Sequence, residues 1–378
     1  MKARVIALYL PQFHPIPEND EWWGKGFTEW TNVAKAKPLF RGHYQPKIPA
    51  DLGFYDLRMP EVRQQQAELA KEAGIEGFCY WHYWFGNGKR LLERPFNEVL
   101  ESGKPDFPFC LGWANHTWTS KTWDKGANKS VPSILVEQKY PGVDDYVAHF
   151  YAVLPAFKDK RYITVDGKPF FYIFAPLDFK DVNTFILTWR KLAVENGLKG
   201  IHFVANASAT FRDLRTGNLR KSLVPEHEVN KYLMDLGFDA VNSNGMTRSN
   251  VKNQGMLRSY IKGFLKKKLN LSIVDRIKQK DINKYLFTEE DRLENVYPTI
   301  IPNYDRTPRT VKDVFYYEST PEVFKQCIVN CLSYVNHKNT EHRIIMLKSW
   351  NEWGEGNYVE PDLKYGRGYL DALKEVIY

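Results

Sequence analysis

The sequence predicts a single α/β domain of the (β/α)8 TIM barrel class over residues 1–378. Its 43% hydrophobic and 26% charged residues are typical of a globular protein, and 378 residues suffice for one large barrel. Several short runs rich in β-branched and aromatic residues show no polar–apolar alternation, which indicates strands buried on both faces. Amphipathic helical patterns lie between these runs, and such an alternation is typical of a parallel barrel.

The predicted strands share a continuous apolar character. They are Val5–Leu10, Ile75–Trp81, Phe107–Trp113, Phe170–Ala175, Ile201–Ala205, Ala240–Asn242, Thr299–Pro302 and Ile344–Trp350. The clearest predicted helices are Pro60–Ala73, Val143–Phe157, Val182–Glu195 and Pro321–Asn336. An open doubly wound sheet is the alternative fold, but no Gly-rich phosphate loop follows the first strand, where that fold would place it.

Residues 211–295 interrupt this rhythm and are predicted to form an irregular basic insertion late in the barrel. Arg258–Lys284 carries nine Lys and Arg residues against Asp275 and Asp281. The simpler interpretation is a solvated basic helix face. The alternative is a peripheral contact with an anionic glycan, a lipid-linked phosphate or an acidic membrane. Nucleic acid is not a predicted partner, because the aromatic residues concentrate at strand ends and not in this stretch.

The chain is rich in aromatic residues. Aromatic residues make up 15% of the chain, and sugars stack on such rings, although a large aromatic core would give the same figure. Neither a leader segment nor a membrane span is visible, so we expect a cytoplasmic protein. The four cysteines have no spacing typical of a zinc site, and we predict no metal and no cofactor.

Two glutamates follow the last predicted strand directly, in the run WNEWGEG over residues 350–356. Catalytic groups of parallel barrels lie at the C-terminal ends of the strands. Glycosidic bond cleavage commonly needs two carboxyl groups, one protonated to assist the leaving oxygen and one ionised. Two acidic residues at a helix start would be the simpler interpretation, but it does not explain the Trp and Asn side chains around them. We therefore predict Glu352 and Glu355 as the catalytic residues.

The predicted sugar-binding residues share a position at a strand end or in the loop that follows it. They are Tyr9, Gln12, Glu29, Trp30, Tyr80, His82, Trp84, Trp113, Asn115, Asn206, Tyr304, Asp305, Trp350, Asn351 and Glu360. Their rings would stack on sugar faces, and their polar groups would bond sugar hydroxyls. A core position for His82 and a surface position for Glu360 are the alternatives.

Three runs of residues resemble a known family. They are YLPQFHP over residues 9–15, NDEWWGKGFTEW over residues 19–30 and WNEWGEG over residues 350–356. The chain is similar to the WbsX family of polysaccharide-cluster proteins from Val5 to about Tyr369. Those proteins in turn resemble glycoside hydrolase family 99, the endo-α-mannosidase family.

The resemblance implies a (β/α)8 barrel with a metal-independent, retaining glycosidase site. It implies that Glu352 acts as a base on the sugar 2-hydroxyl and gives an anhydro-sugar intermediate. It implies that Glu355 acts first as general acid and then as base. Mannan specificity does not transfer, because the N-terminal motif departs from the endomannosidase pattern.

Two function hypotheses of different class follow. The favoured one is a glycoside hydrolase or transglycosidase that acts on a bacterial surface polysaccharide or its precursor. The alternative is a glycosyltransferase of O-antigen or capsular polysaccharide biosynthesis. Such a transferase usually needs a diphosphate cradle or an Asp-x-Asp metal motif, and Asp144 and Asp145 are adjacent rather than spaced. A non-catalytic sugar-binding barrel is a weaker third hypothesis.

Overall fold

Eight parallel strands form a closed barrel in the computed structural model, which describes residues 1–120, 133–207, 224–254, 275–310 and 314–378. The barrel strands are β1 (Arg4–Tyr9), β2 (Ile75–Trp84), β3 (Phe109–Trp113), β4 (Lys168–Ile173), β5 (His202–Ala207), β6 (Ala240–Ser243), β7 (Val296–Ile300) and β8 (Ile344–Leu347). Each strand pairs with its neighbours in sequence order, and β1 pairs with both β2 and β8. The predicted (β/α)8 barrel is confirmed, and each predicted strand overlaps one of these eight.

Helices cover the outside of the barrel and its ends. They are α1 (Pro17–Trp23), α2 (Glu29–Lys35), α3 (Pro60–Glu72), α4 (Arg94–Ser102), α5 (Val143–Phe157), α6 (Val182–Glu195), α7 (Glu226–Asp235), α8 (Met246–Gln254), α9 (Gln279–Asn283), α10 (Pro321–Val335) and α11 (Gly368–Ile377). Helices α5 and α6 have the predicted bounds, whereas α3 and α10 end one residue earlier than predicted. The predicted helix periodicity therefore corresponds to the layer that shields the strands.

Several short strand pairs lie in the loops or at the ends of the barrel strands. Arg90–Leu91 pairs with the end of β2, Thr164–Val165 pairs with β4, and Trp118–Thr119 pairs with Ile134–Val136. Asp275–Lys278 pairs in parallel with Val314–Tyr317. Asn351–Glu352 pairs antiparallel with Asn357–Tyr358, directly after β8. The last of these pairs contains one of the two predicted catalytic glutamates.

The range 211–295 includes the predicted strand Ala240–Asn242, and the structure places elements of the barrel there. Strand β6 lies within it, and α7 buries Val229 and Leu233 against the barrel. Strand β6 has only four residues, so its sequence signal is short beside the polar stretches around it. The predicted basic stretch lies outside the described residues as far as position 274.

Among the described residues, no helix is both long enough and apolar enough to cross a membrane.

Candidate active site

A cavity of about 420 Å³ lies at the carboxyl ends of the barrel strands. Residues two positions apart on the same strand, or on its direct extension, supply much of its wall. They are Leu8 and Leu10, Trp81 and Tyr83, Ala114 and His116, Tyr172 and Phe174, and Asn242 and Asn244. Side chains two residues apart on a strand share a face, so these pairs mark the inward face of the barrel.

Four of the predicted site residues line this cavity: Gln12, Tyr304, Glu352 and Glu355. The predicted residues on β1, β2 and β3 occupy the alternate positions and lie outside it. They are Tyr9, Tyr80, His82, Trp84, Trp113 and Asn115. On each of these strands, the residues that line the cavity are one position away from the predicted ones. Trp81 and Tyr83 take that place instead.

The alternate positions carry side chains that hold the helical layer to the barrel. His82 Nε2 lies 2.8 Å from His149 Nε2 on α5, and burial lowers the pKa of His82 to about 3. Trp84 donates its indole N–H to Asp145, at 3.0 Å. Trp113 donates its own to the Trp84 carbonyl, at 2.9 Å, and is 1% exposed. These residues pack the core of the barrel wall.

Two predicted asparagines fasten strand ends. Asn115 accepts a hydrogen bond from the Ala175 amide at 2.7 Å and donates to the Ala175 carbonyl at 3.0 Å. Asn206 donates to the Phe174 carbonyl at 2.9 Å. These three bonds tie neighbouring strands at their carboxyl ends, and neither side chain lines the cavity.

Glu360 is buried, which corrects the alternative of a surface carboxylate. It is 1% exposed and accepts hydrogen bonds from Tyr55 at 2.9 Å and from Gln66 and Trp353, both at 2.6 Å. Burial raises the pKa of Glu360 to about 7, although these donors act in the opposite direction. The carboxyl group thereby links the loop after β8 to α3.

Asp305 also lies behind the cavity wall, although we expected it to bond the substrate. Its carboxylate is fully buried, with His43 Nε2 at 3.0 Å and Gln45 Nε2 at 2.6 Å. It also accepts a hydrogen bond from the Thr307 hydroxyl at 2.6 Å. Its backbone amide donates to the Glu355 carbonyl at 2.6 Å. Asp305 therefore positions the backbone of a predicted catalytic residue.

The remaining predicted residues brace the same loop. Trp350 is fully buried against Phe78, with ring centroids 5.1 Å apart. Asn351 accepts from the Leu10 amide at 2.8 Å and donates to the Leu10 carbonyl at 3.1 Å. Trp30 donates its indole N–H to a backbone carbonyl and is only 8% exposed. In the structure these three residues support the loop, and none of them lines the cavity.

The two glutamates stand at either end of a single 3-10 turn, Trp353–Glu355. Strand pairing between Asn351–Glu352 and Asn357–Tyr358 closes the loop. The Trp353 ring stacks on the Tyr358 ring at 3.7 Å between centroids. Because these contacts fix the turn from behind, the carboxyl groups of Glu352 and Glu355 both face the cavity.

Gly354, in the middle of the turn, leaves room for another carboxylate. A Cβ atom at this position would overlap Oε1 of Glu29 and would lie 2.9 Å from Nε of Arg309. Glycine is therefore required here for space. The fully buried Glu29 fills that space from the start of α2.

Arg309 joins three carboxylates, an arrangement that the sequence analysis missed. Its Nε atom lies 2.9 Å from Glu29 Oε1, and its Nη1 atom lies 2.7 Å from Glu355 Oε1 and 3.5 Å from Glu352 Oε1. Arg306 adds a second contact to Glu355 Oε1 at 3.3 Å. Both arginines follow β7, where position after a strand end was the available signal.

The surrounding charges give the two glutamates different pKa values. Burial raises the pKa of Glu352 to about 7, the charge of Glu355 acts in the same direction, and Arg309 and Lys348 oppose them. Burial would also raise the pKa of Glu355, but Arg309, Arg306 and Lys348 together hold it below its ordinary value. Of the two carboxyl groups, Glu352 therefore has the higher pKa and is the one favoured to hold a proton near neutral pH. This order is the reverse of the roles that the family resemblance implies.

The described residues contain no group of three or more His, Cys, Asp or Glu side chains arranged to hold a metal ion. The carboxylates of the site are matched instead by arginine and lysine side chains.

Comparisons with known proteins place the chain among carbohydrate-related proteins. The sequence model of the family described as "Glycosyltransferase WbsX" matches residues 5–373. Two curated relatives from strains of Xanthomonas campestris pv. campestris, both called "Uncharacterized protein WxcX", are 32% and 33% identical over 385 residues. The alignments include 100% of this chain and 50% of each relative. The chain thus spans about half the length of the curated relatives it matches.

Solved structures share the fold. A GH99 endo-alpha-mannosidase from Bacteroides thetaiotaomicron superimposes with a TM-score of 0.56 at 13% identity, over 100% of this chain and 96% of that one. A "Glycoside hydrolase-like protein" gives a TM-score of 0.55 at 16% identity, over 99% and 94% of the two chains. At these identities the likeness establishes a common barrel architecture.

Proposed function

Because the chain belongs to the WbsX glycosyltransferase family, we propose that it is a carbohydrate-active enzyme that cleaves or transfers glycosidic bonds through Glu352 and Glu355. The favoured activity is that of a retaining glycoside hydrolase or transglycosidase. Its proposed substrate is a bacterial surface polysaccharide or the precursor of one.

The shared contact with Arg309 is the observation that carries the proposal. Oε1 of Glu355 and Oε1 of Glu352 lie 2.7 and 3.5 Å from the same Nη1 atom, so the two oxygens are at most 6.2 Å apart, the sum of those distances. Retaining glycosidases place their carboxyl groups about 5–5.5 Å apart, and inverting ones about 6.5–9.5 Å apart. The contact thus brings the two carboxyl groups close enough to act on one glycosidic bond, and the retaining mechanism is the one that the family resemblance implies.

The protonation order gives each carboxyl group a role. Glu352, with a pKa raised to about 7 by burial, would donate a proton to the leaving oxygen. Glu355, which Arg309 and Arg306 keep ionised, would act on the sugar as a base or nucleophile. Trp81, Tyr83 and the other rings of the cavity would orient the sugar by stacking.

The test compares Glu352→Gln and Glu355→Gln on a panel of bacterial oligosaccharides and their dinitrophenyl glycosides. Each variant is expected to lower kcat by at least about a hundredfold on the natural linkage. Dinitrophenolate leaves without protonation, so it should restore turnover to the variant that lacks the acid, here Glu352→Gln. Glu101→Gln, at an exposed position on α4, is the matched control and should keep full activity.

Two outcomes separate the site from the assignment of roles. Rescue of Glu355→Gln instead of Glu352→Gln would give Glu355 the acid role that the resemblance implies. Full activity of both variants on a glycan that the unaltered protein cleaves would overturn the proposal as a whole.

The second candidate function is a glycosyltransferase, and the cations of the cavity favour it. Arg306 and Lys348 line the cavity and could neutralise a departing diphosphate. Titration with nucleotide sugars, with and without magnesium or manganese, distinguishes the two. We expect no saturable binding. Micromolar binding that Lys348→Glu abolishes would favour the transferase.

A further inference from the structure

A second concave surface of about 930 Å³ lies beside the candidate active site and shares none of its lining residues. Residues 40–47, the strand Val314–Tyr317 and residues 358–369 form most of this surface, which we call the aromatic groove. Its volume is in the upper part of the range of small-molecule sites.

One segment of the chain separates the groove from the cavity. Asn303 lines the groove, whereas the next residue, Tyr304, lines the cavity. Lys47, on the groove side, donates to the carbonyl of Gly356 at 3.2 Å, one residue after Glu355. A ligand in the groove would therefore lie next to the loop of the two glutamates.

The groove combines aromatic rings with cations. Arg276 lies over the ring of Phe40, with its guanidinium carbon 4.6 Å from the ring centroid. The Lys364 ammonium lies 4.6 Å from the ring centroid of Tyr44 and 4.8 Å from that of Tyr365. In the described part of the chain, neither Arg276 nor Lys364 forms an ion pair with a carboxylate.

The acidic residues of the groove are already engaged. Asp362 accepts hydrogen bonds from the Tyr358 hydroxyl at 2.5 Å and from the backbone amides of Lys364 at 3.0 Å and Tyr365 at 2.6 Å. Glu318 pairs with Lys278 at 2.9 Å. The lining also includes more basic than acidic residues, with Arg41, Lys47, Arg276 and Lys364 against Glu318 and Asp362, so the groove carries an excess of positive charge.

One buried polar atom at the groove has no hydrogen-bond partner among the residues that the structure describes. Asn303 is 3% exposed, and its Oδ1 atom accepts no hydrogen bond within the described residues. Such an atom suits a ligand hydroxyl group, because leaving a buried acceptor unsatisfied costs free energy.

We infer that the aromatic groove is a second carbohydrate site, which binds an acidic oligosaccharide alongside the cavity. Its rings would stack on sugar faces, Arg276 and Lys364 would bind uronic carboxylates, and Asn303 would accept a bond from a hydroxyl. The inference rests on the proposed function only in taking a glycan as the ligand. It makes the natural substrate an anionic polysaccharide held on both sides of the catalytic loop.

The test measures binding, so it does not depend on turnover. Affinity electrophoresis in gels that contain polygalacturonate, alginate or hyaluronan is compared with gels that contain methyl-esterified pectin or dextran. The Glu352→Gln/Glu355→Gln double variant serves as background, so failure of the catalytic proposal leaves this result readable. We expect retardation by at least one acidic polymer and weaker retardation by the neutral ones.

Two variants and one control locate the binding. Lys364→Ala and Tyr365→Ala should each weaken it at least tenfold, and Phe40→Ala replaces Tyr365→Ala if the latter fails to fold. Lys199→Ala removes the same charge from an exposed position before β5, at the opposite end of the barrel, and should have no effect. Melting curves check that each variant is folded.

Three outcomes would overturn the inference. One is the absence of binding to all three acidic polymers. The second is equal loss in Lys364→Ala and Lys199→Ala, which would indicate a general effect of net charge. The third is single-stranded DNA that binds the groove as tightly as the acidic polymer does, because stacking rings and cations also suit nucleic acid.

Discussion

Replacing Arg309 by methionine should destabilise the fold by about 3–5 kcal/mol, the usual cost of removing one partner of a buried ion pair. Glu29 is fully buried, its Oε1 atom is bonded to Arg309 Nε at 2.9 Å, and its Oε2 atom has no partner within the described residues. Without the guanidinium, this buried carboxylate loses its main partner and lies near the like charge of Glu355. Protonation of Glu29 would then limit the loss, so the low end of the range is expected in acid.

Urea unfolding followed by the fluorescence of the 11 tryptophans gives the free energy directly. For a chain of 378 residues, the expected loss corresponds to a drop in Tm of about 4–6 °C. Adding Glu29→Gln to Arg309→Met should recover about half of the loss, because it removes the unpaired charge. Arg367→Met breaks a pair with Asp51 whose side chains are 51% and 35% exposed, so it should cost less than about 1 kcal/mol. A loss below about 1 kcal/mol for Arg309→Met would refute the view that it compensates a buried charge.

Three more perturbations test the site and the barrel wall. Gly354→Ala should cost about 1–3 kcal/mol, since the added methyl group displaces Glu29, and unchanged thermal unfolding would show that the turn has spare room. The pKa of Glu352 is raised to about 7 from an ordinary 4.5, so the free energy of unfolding should fall as the pH rises from about 4.5 through 7. Glu352→Gln should remove up to about 3 kcal/mol of that fall. If the variant keeps the same dependence of stability on pH as the unaltered protein, the raised pKa is contradicted. Trp113→Ala should lower stability by about 3–5 kcal/mol as a core truncation and leave glycan affinity unchanged once the protein is folded, whereas a selective loss of affinity would return Trp113 to the binding surface.

The barrel and the position of Glu352 and Glu355 at its cavity could be predicted because their signals are local. A strand buried on both faces is a continuous apolar run, and Glu352 and Glu355 directly follow the last of these runs. The same continuous apolar character made it impossible to predict which residues of a strand face the cavity. A strand without polar–apolar alternation gives no indication that Trp81 rather than Tyr80 faces the cavity.

The charge network was not predictable for the opposite reason. Glu29 and Arg309 lie 280 residues apart in sequence, and no spacing rule connects them. Their contact depends on how the loops after β1, β7 and β8 meet above the barrel. Glu360 was equally hidden, since its burial is set by donors from Tyr55, Gln66 and Trp353 on separate segments.

The absence of a side chain at Gly354 also has a consequence for comparing sequences. Glu29 occupies the space that a Cβ atom at position 354 would need. The residue types at positions 29 and 354 therefore depend on each other, although the two positions are far apart in sequence. Across an alignment of relatives, a residue larger than glycine at 354 should occur together with a residue shorter than glutamate at 29. A relative with both a glutamate at 29 and an alanine at 354 must place the turn differently, and its two glutamates would then no longer share one guanidinium.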